Sequence, residues 1–325
     1  MEVLDIAESI AQVLVYEQYN GLVNTKVVVG PWTLDNDSYN QLVAELSRYP
    51  EIDTDRLKLE HDPDTHVTEL KMPNATSFHD VFARNMEETI RFAVAENPRL
   101  RHLYSSIQGL GSTPVRLVSG KQQYPDGSLC KKGVDCNARM ILEVAFSHPR
   151  TRCELADRCK SFITGTHGYT RTAVALDIFY DPANPTDYDA ILENLDNCFV
   201  AVWVAVPGPD ASDSAIVGAE CVLHWTPLSD PNAHLRLWMP DLIGQEGDNG
   251  MHSLEERPLS SDLDGGTVAA PIAIPFSVIS EQLRDAVVFA TRQTRQTLKC
   301  HANQAQAPPP ALPPFSSSTS PPKQA

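Results

Sequence analysis

Long apolar runs are scarce in this sequence. The longest, "CFVAVWVAV" at 198–206, has 9 residues, against about 20 for a membrane-spanning helix, so no membrane partner is expected. A basic leader is also missing. The opening "MEVLDIAESIAQVLVYEQY" places four acids and no base among its apolar residues, unlike a signal or transit peptide; the expected setting is intracellular, nuclear or cytoplasmic. Basic residues are few: 26 Lys and Arg stand against 42 Asp and Glu, a formal net charge of −16 over 325 residues. That balance excludes coating nucleic acid through bulk charge. Cysteine is scarce and odd in number, seven in all, which fits reduced thiols and not a disulfide framework. The one grouping that resembles a zinc set is Cys130, Cys136, Cys153 and Cys159. Its spacing is too wide for a knuckle, and on a helix Cys153 and Cys159 stand about 120° apart, facing different ways. The chain has no GxSxG elbow, no phosphate loop ending in GK[ST], no HExxH and no dinucleotide fingerprint, and "QGLGSTP" reads as a turn.

What is present is amphipathic and mixed. Residues 2–19 and "SYNQLVAELSRY" from Ser38 show helical spacing, giving an α-rich lead-in. "SFHDVFARNMEETIRFAVAENPR" predicts a strong helix with Phe78, Phe82, Met86, Ile90 and Ala93 on one stripe, Ser77 as its cap and Pro98 beyond its end. His79 on that helix reads as a packed core histidine, and Asp80 and Glu87 as residues able to assist a nearby site. Then follow the strand-like runs "LYSSIQ", "TPVRLV" and "RMILEVAFS", the helix "TRCELADRCKSFITGT", and the strands "TAVALDIFY" and "CFVAVWVAV". The order helix, three strands, helix, strand, strand predicts an α/β domain with a mixed sheet flanked by helices. Its expected bounds are 67–228, preceded by an α-rich extension at 1–66. Residues 229–300 are expected to form an acidic loop and a C-terminal helix, the loop (241–265) holding seven acids and one base. Residues 301–325, with seven prolines and five Ser or Thr, are expected to form a disordered tail. Its "PALP" at 310–313 is short for a docking motif but leaves a protein partner open.

One residue breaks the pattern. Glu143 sits inside the apolar run Met140–Phe146, where an ionised carboxylate costs several kcal/mol, of order, unless something compensates it. Strand alternation puts Ile141, Glu143, Ala145 and Ser147 on one face. Asp126, between Pro125 and Gly127, can lie beside it, although the tripeptide alone is ordinary turn sequence. Two converging carboxylates would suit Mg²⁺; equally, Glu143 would suit an arginine partner.

Pro125-Asp126 followed by Glu143-Val144-Ala145 resembles the "PD…(D/E)xK" pattern of the restriction-endonuclease-like superfamily, the PD-(D/E)XK nucleases. The core order of that superfamily is helix, three strands, helix, strand, with the two motifs on adjacent strands. The likeness covers about residues 67–206 and is closest to a fungal branch, through "EVAFS" and "LADRCKSFI". It implies a Mg²⁺ (or Mn²⁺) site held by Asp126, Glu143 and the carbonyl of Val144, with Arg158 or Lys160 meeting the scissile phosphate of DNA. Ala145 stands where the family has its lysine, and at the position of a lysine used by a bacterial branch this chain has Arg158, a poor general base. Between Arg99 and Arg171 the chain carries 12 Lys or Arg and 5 Asp or Glu, a basic stretch in an acidic protein that would suit phosphate. Two functions follow as expectations: a metal-dependent phosphodiesterase acting on DNA, or a catalytically inactive nuclease-fold protein that works through protein contacts.

Overall fold

A computed structural model describes residues 3–20, 28–49, 58–63, 65–71, 77–133, 137–146, 151–181, 183–184, 187–208, 217–243 and 271–306. Cys136, Ser147, most of the acidic loop and residues 307–325 of the tail lie outside the described residues, whereas residues 301–306, expected in the disordered tail, continue the last helix.

The N-terminal unit contains α1 (Val3–Asn20), β1 (Val28–Thr33), α2 (Asn36–Leu46), β2 (Lys58–Asp62) and β3 (Val67–Lys71). Asp35 caps α2 by accepting the Ser38 N–H at 2.8 Å, satisfying one of the four donors a helix start leaves over. Ile6 and Ile10 of α1 meet Leu42 and Leu46 of α2 over Leu59, in a core of their own. The unit is not only α-rich: its three strands form an antiparallel sheet in the order β1-β3-β2. "KLEHD" holds one apolar residue and "VTELK" two, so few apolar positions announced them. The boundary expected at Val67 also falls in the wrong place, because β3 is the central strand of this sheet.

The larger unit begins with α3 (Ser77–Glu96), a helix from its first residue at Ser77. Phe78, Phe82, Met86, Ile90 and Val94 are fully buried, as the 3.6-residue spacing requires of a helix with one covered face. Then come β4 (Ile107–Gly109), a small ribbon of β5 (Val115–Arg116) and β6 (Gln122–Gln123), β7 (Gly127–Lys131) and β8 (Met140–Ala145). After α4 (Arg152–Gly165) follow β9 (Thr172–Asp177), α5 (Asp189–Glu193), β10 (Phe199–Pro207) and β11 (Val217–Pro227). The six-stranded sheet runs β11-β10-β9-β8-β7-β4. It is mixed: β8 and β9 are parallel across the α4 connection, and the other neighbours are antiparallel. The run "TPVRLV" supplies only the ribbon strand β5, and "GSLCK" forms β7, which lies between β4 and β8 in the sheet.

Every residue of β8 is buried, because helices cover both faces of the sheet. Met140, Leu142 and Val144 join α3 in one core cluster. Ile141 and Ala145 join Leu155, Cys159 and Phe162 of α4 in the other. A capping box starts α4: Thr151 Oγ1 accepts the Glu154 N–H at 3.2 Å, and Glu154 Oε2 accepts the Thr151 N–H at 2.9 Å. Cys153 is exposed on this helix while Cys159 is buried, so the two thiols do face apart.

The segment after 228 is not an appendage. Strands β12 (His234–Trp238) and β13 (Pro271–Pro275) pair antiparallel, the short helix α6 (Met239–Ile243) follows β12 directly, and α7 (Phe276–Gln306) follows β13. Leu235, Leu237, Ile272, Ile274, Phe276, Ile279, Leu283 and Val287 belong to the same cluster as α3 and β8. Removing them would take away part of that cluster, including the helix that packs along α3. No described helix is long and apolar enough to cross a membrane.

Candidate functional site

The register of β7 on β8 builds the carboxylate pair. Gly127 lies opposite Leu142, so Asp126 stands one residue beyond the paired ladder, where continued pairing would bring it beside Glu143. The Asp126 N–H donates to the Leu142 carbonyl at 3.1 Å. Asp126 Oδ2 then accepts the Val144 N–H at 2.8 Å. The side chain thus takes over as acceptor where the strand ends. Asp126 is half-buried, Glu143 fully buried.

Glu143 Oε2 accepts from Arg158 Nε at 2.8 Å, and the Arg158 side chain is 13% exposed. A second guanidinium nitrogen donates to the Tyr124 carbonyl at 2.6 Å, and the ring of Phe162 lies 5.5 Å from its carbon. The arginine therefore ties α4 to β8 and to the segment leading into Asp126. One turn later Ser161 Oγ donates to Gln123 Oε1 at 3.0 Å, fastening the same segment again. Position on the helix explains the choice of cation. With Leu155, Cys159 and Phe162 facing the sheet, Arg158 stands at the edge of the buried stripe. Lys160 lies outside it: its side chain is 44% exposed and bonds Asp157 at 3.3 Å.

The candidate residues thus fall into two groups. Asp126, Glu143, Val144 and Arg158 come together; Lys160 points to solvent. Val144 meets Asp126 through its N–H. As arranged, these residues do not fit a divalent cation. One Asp126 oxygen receives a backbone donor, and Glu143 already faces a permanent positive charge at ion-pair distance. Among the described residues no group of three or more His, Cys, Asp or Glu is placed to hold a metal.

Sequence reasoning gave little weight to Glu87, which lies across the sheet from this pair. It is 6% exposed on α3, and its Oε1 accepts the N–H groups of Ser128 at 2.6 Å and Gly111 at 3.1 Å. Burial pushes its carboxyl up to about 7, against the downward pull of those two donors. The signal for it was present in Gly109 and Gly127. A Cβ at either would come within 2.6 Å or 3.0 Å of the Glu87 carboxylate. Asp241 was also missed: assigned to the acidic loop, it is 2% exposed in α6 and accepts from Thr172 Oγ1 at 3.4 Å.

No protein-family model matches the chain, and no curated protein matches it.

Proposed function

We propose that the chain is a nuclease-fold protein of the restriction-endonuclease-like kind whose carboxylate site is closed by an internal arginine, and that it acts through macromolecular contacts and not by phosphodiester cleavage. The observation that carries this reading is the Glu143–Arg158 bond at 2.8 Å on a carboxylate with no exposure. The guanidinium supplies the positive charge that a metal ion would otherwise bring, and it cannot be titrated away. Three further features agree with it. The element order α3, three sheet strands, α4, β9 follows the order of the superfamily, Pro125-Asp126 directly precedes β7, the neighbour of the strand that carries Glu143, and Ala145 replaces the lysine. The acidic remainder of the chain and its proline-rich tail are the parts suited to protein partners.

The second reading, a Mg²⁺- or Mn²⁺-dependent phosphodiesterase on DNA, is favoured by one observation: Asp126, one residue before β7, bonds the N–H of Val144, the residue next to Glu143. In that reading Arg158 must swing away from Glu143 for the site to load. The experiment is a Mg²⁺ and Mn²⁺ titration of the full chain, followed by melting temperature and by nicking of supercoiled DNA. The closed-site reading expects no shift and no nicking. A rise in melting temperature that Asp126→Ala abolishes would overturn it in favour of the metal site. Nicking that is absent in the wild type but appears in Ala145→Lys would show that the site still accepts phosphate in productive geometry.

A further inference from the structure

Glu87 is used by neither reading. Its two acceptor bonds belong to a larger network: the Ser128 hydroxyl donates to the Gly111 carbonyl at 2.9 Å, and the Ser112 hydroxyl to the Asp126 carbonyl at 3.2 Å. One carboxyl group therefore gathers the start of β7, the 110–112 turn and the segment that presents Asp126. The site is built to admit it. Gly109 and Gly127 leave the space that a side chain would fill, and Gly111 takes the left-handed φ of 58° that the turn requires. The residues facing the carboxyl from β4, β7 and the turn, namely Gly109, Gly127, Ser128 and Gly111, carry no charge. The charges that act on it come from its own helix, Glu88 raising and Arg84 lowering its proton affinity.

We propose that Glu87 is a proton-operated latch on the β4–β7 edge of the sheet: protonated, it seals the 110–112 turn against β7; ionised, it releases the turn. The physical cause is the cost of a buried carboxylate without a cationic partner, which water relieves when the edge opens. The latch stands on the α3–β7 geometry alone and is independent of what the Asp126–Glu143 pair does.

Amide hydrogen exchange on the full chain, corrected for the intrinsic pH dependence of exchange, tests it. Protection at Gly111 and Ser128 should fall by up to about tenfold per pH unit between about pH 4.5 and 7 and level off above that. Glu87→Gln keeps an oxygen for both donors but cannot ionise, so its protection should stay level. Level protection in the wild type, or an equal fall in the Gln variant, overturns the latch. So does protection at these two amides equal to that of Val174 in β9 at every pH, which would mean that only global unfolding exposes them. Should the Gln variant fail to fold, the ¹³C carboxyl signal of Glu87 in the wild type decides: it must titrate in step with the Gly111 and Ser128 amide signals, and a separate midpoint refutes the proposal.

Discussion

Two buried carboxylates face opposite sides of one sheet and solve the same problem differently. Glu143, on the α4 side, meets a guanidinium at 2.8 Å. Glu87, on the α3 side, is met by two backbone N–H groups. The first arrangement compensates charge with charge, through a guanidinium that keeps its proton. The second offers dipoles only, which do not outweigh desolvation, so the carboxyl binds its proton up to about pH 7. Burial alone therefore does not tell whether a carboxylate is a permanent charge or a titrating group. The nearest cation decides.

The strongest way to break this contrast is to make Glu143 resemble Glu87. Arg158→Ala removes the guanidinium from a carboxylate with no exposure and should cost about 3–5 kcal/mol at neutral pH, read as a lower urea midpoint. Without the counter-charge, burial raises the carboxyl pKa, so the loss should shrink as pH falls. A loss below about 1 kcal/mol would show that Arg158 contributes little to the fold.

Next in size is the pH dependence that Glu87 imposes. Its pKa is raised in the folded state from a reference of 4.5 to about 7, so the folded chain holds a proton that the unfolded chain has lost. The associated stability is fully present below about pH 4.5 and is lost as pH rises through about 7. At about 1.4 kcal/mol per pKa unit the span is of order 3 kcal/mol. Glu87→Gln should flatten that part of the stability profile, and the difference between the two profiles is the measurement.

How much of this was legible in sequence depended on whether the signal was local. The stripe Phe78, Phe82, Met86, Ile90 on α3 and the apolar run of β8 are periodic over one element, and both elements were foreseen. The position of Arg158 at the border of the α4 stripe was legible for the same reason. By contrast, "HLRLW" and "PIAIP" alternate over five residues each and are separated by 32 residues. Their pairing is non-local, so the hairpin and α7 were taken for an extension although their side chains complete the core. The Glu143–Arg158 bond was open as one of two choices, since it depends on how α4 sits across β8, a matter of packing and not of spacing. Glu87 was undervalued because the glycines that make its space are 22 and 40 positions away.

Those glycines allow a smaller test. Gly109→Ala would place a Cβ 2.6 Å from Glu87 Oε2, too close for any real contact, and should destabilise the chain by about 1–3 kcal/mol by overfilling the site. Combining it with Glu87→Ala removes the clash. If the carboxyl is what fills the space, the double variant should be more stable than the sum of the single effects implies, by about 1 kcal/mol or more. Strict additivity would place the strain elsewhere.

The smallest expected effect is the most direct control on the comparison. Lys160 lies two residues from Arg158 on the same helix and was an equal candidate for contact with phosphate. Two residues on a helix are about 200° of rotation, which carries the ammonium away from Glu143 to Asp157, a partner whose side chain is 67% exposed. Such a pair at i, i+3 gains little in water, because solvent screens it and two long side chains lose freedom in making it. Lys160→Ala should therefore change stability by no more than about 0.5 kcal/mol, with a salt dependence too small to resolve, against the about 3–5 kcal/mol of Arg158→Ala. The same pair of variants separates the two functional readings. If the chain holds DNA through this face, Lys160→Ala should lower the slope of log affinity against log salt by about one phosphate contact; if the carboxylate site is closed and the surface serves other contacts, the slope should not move.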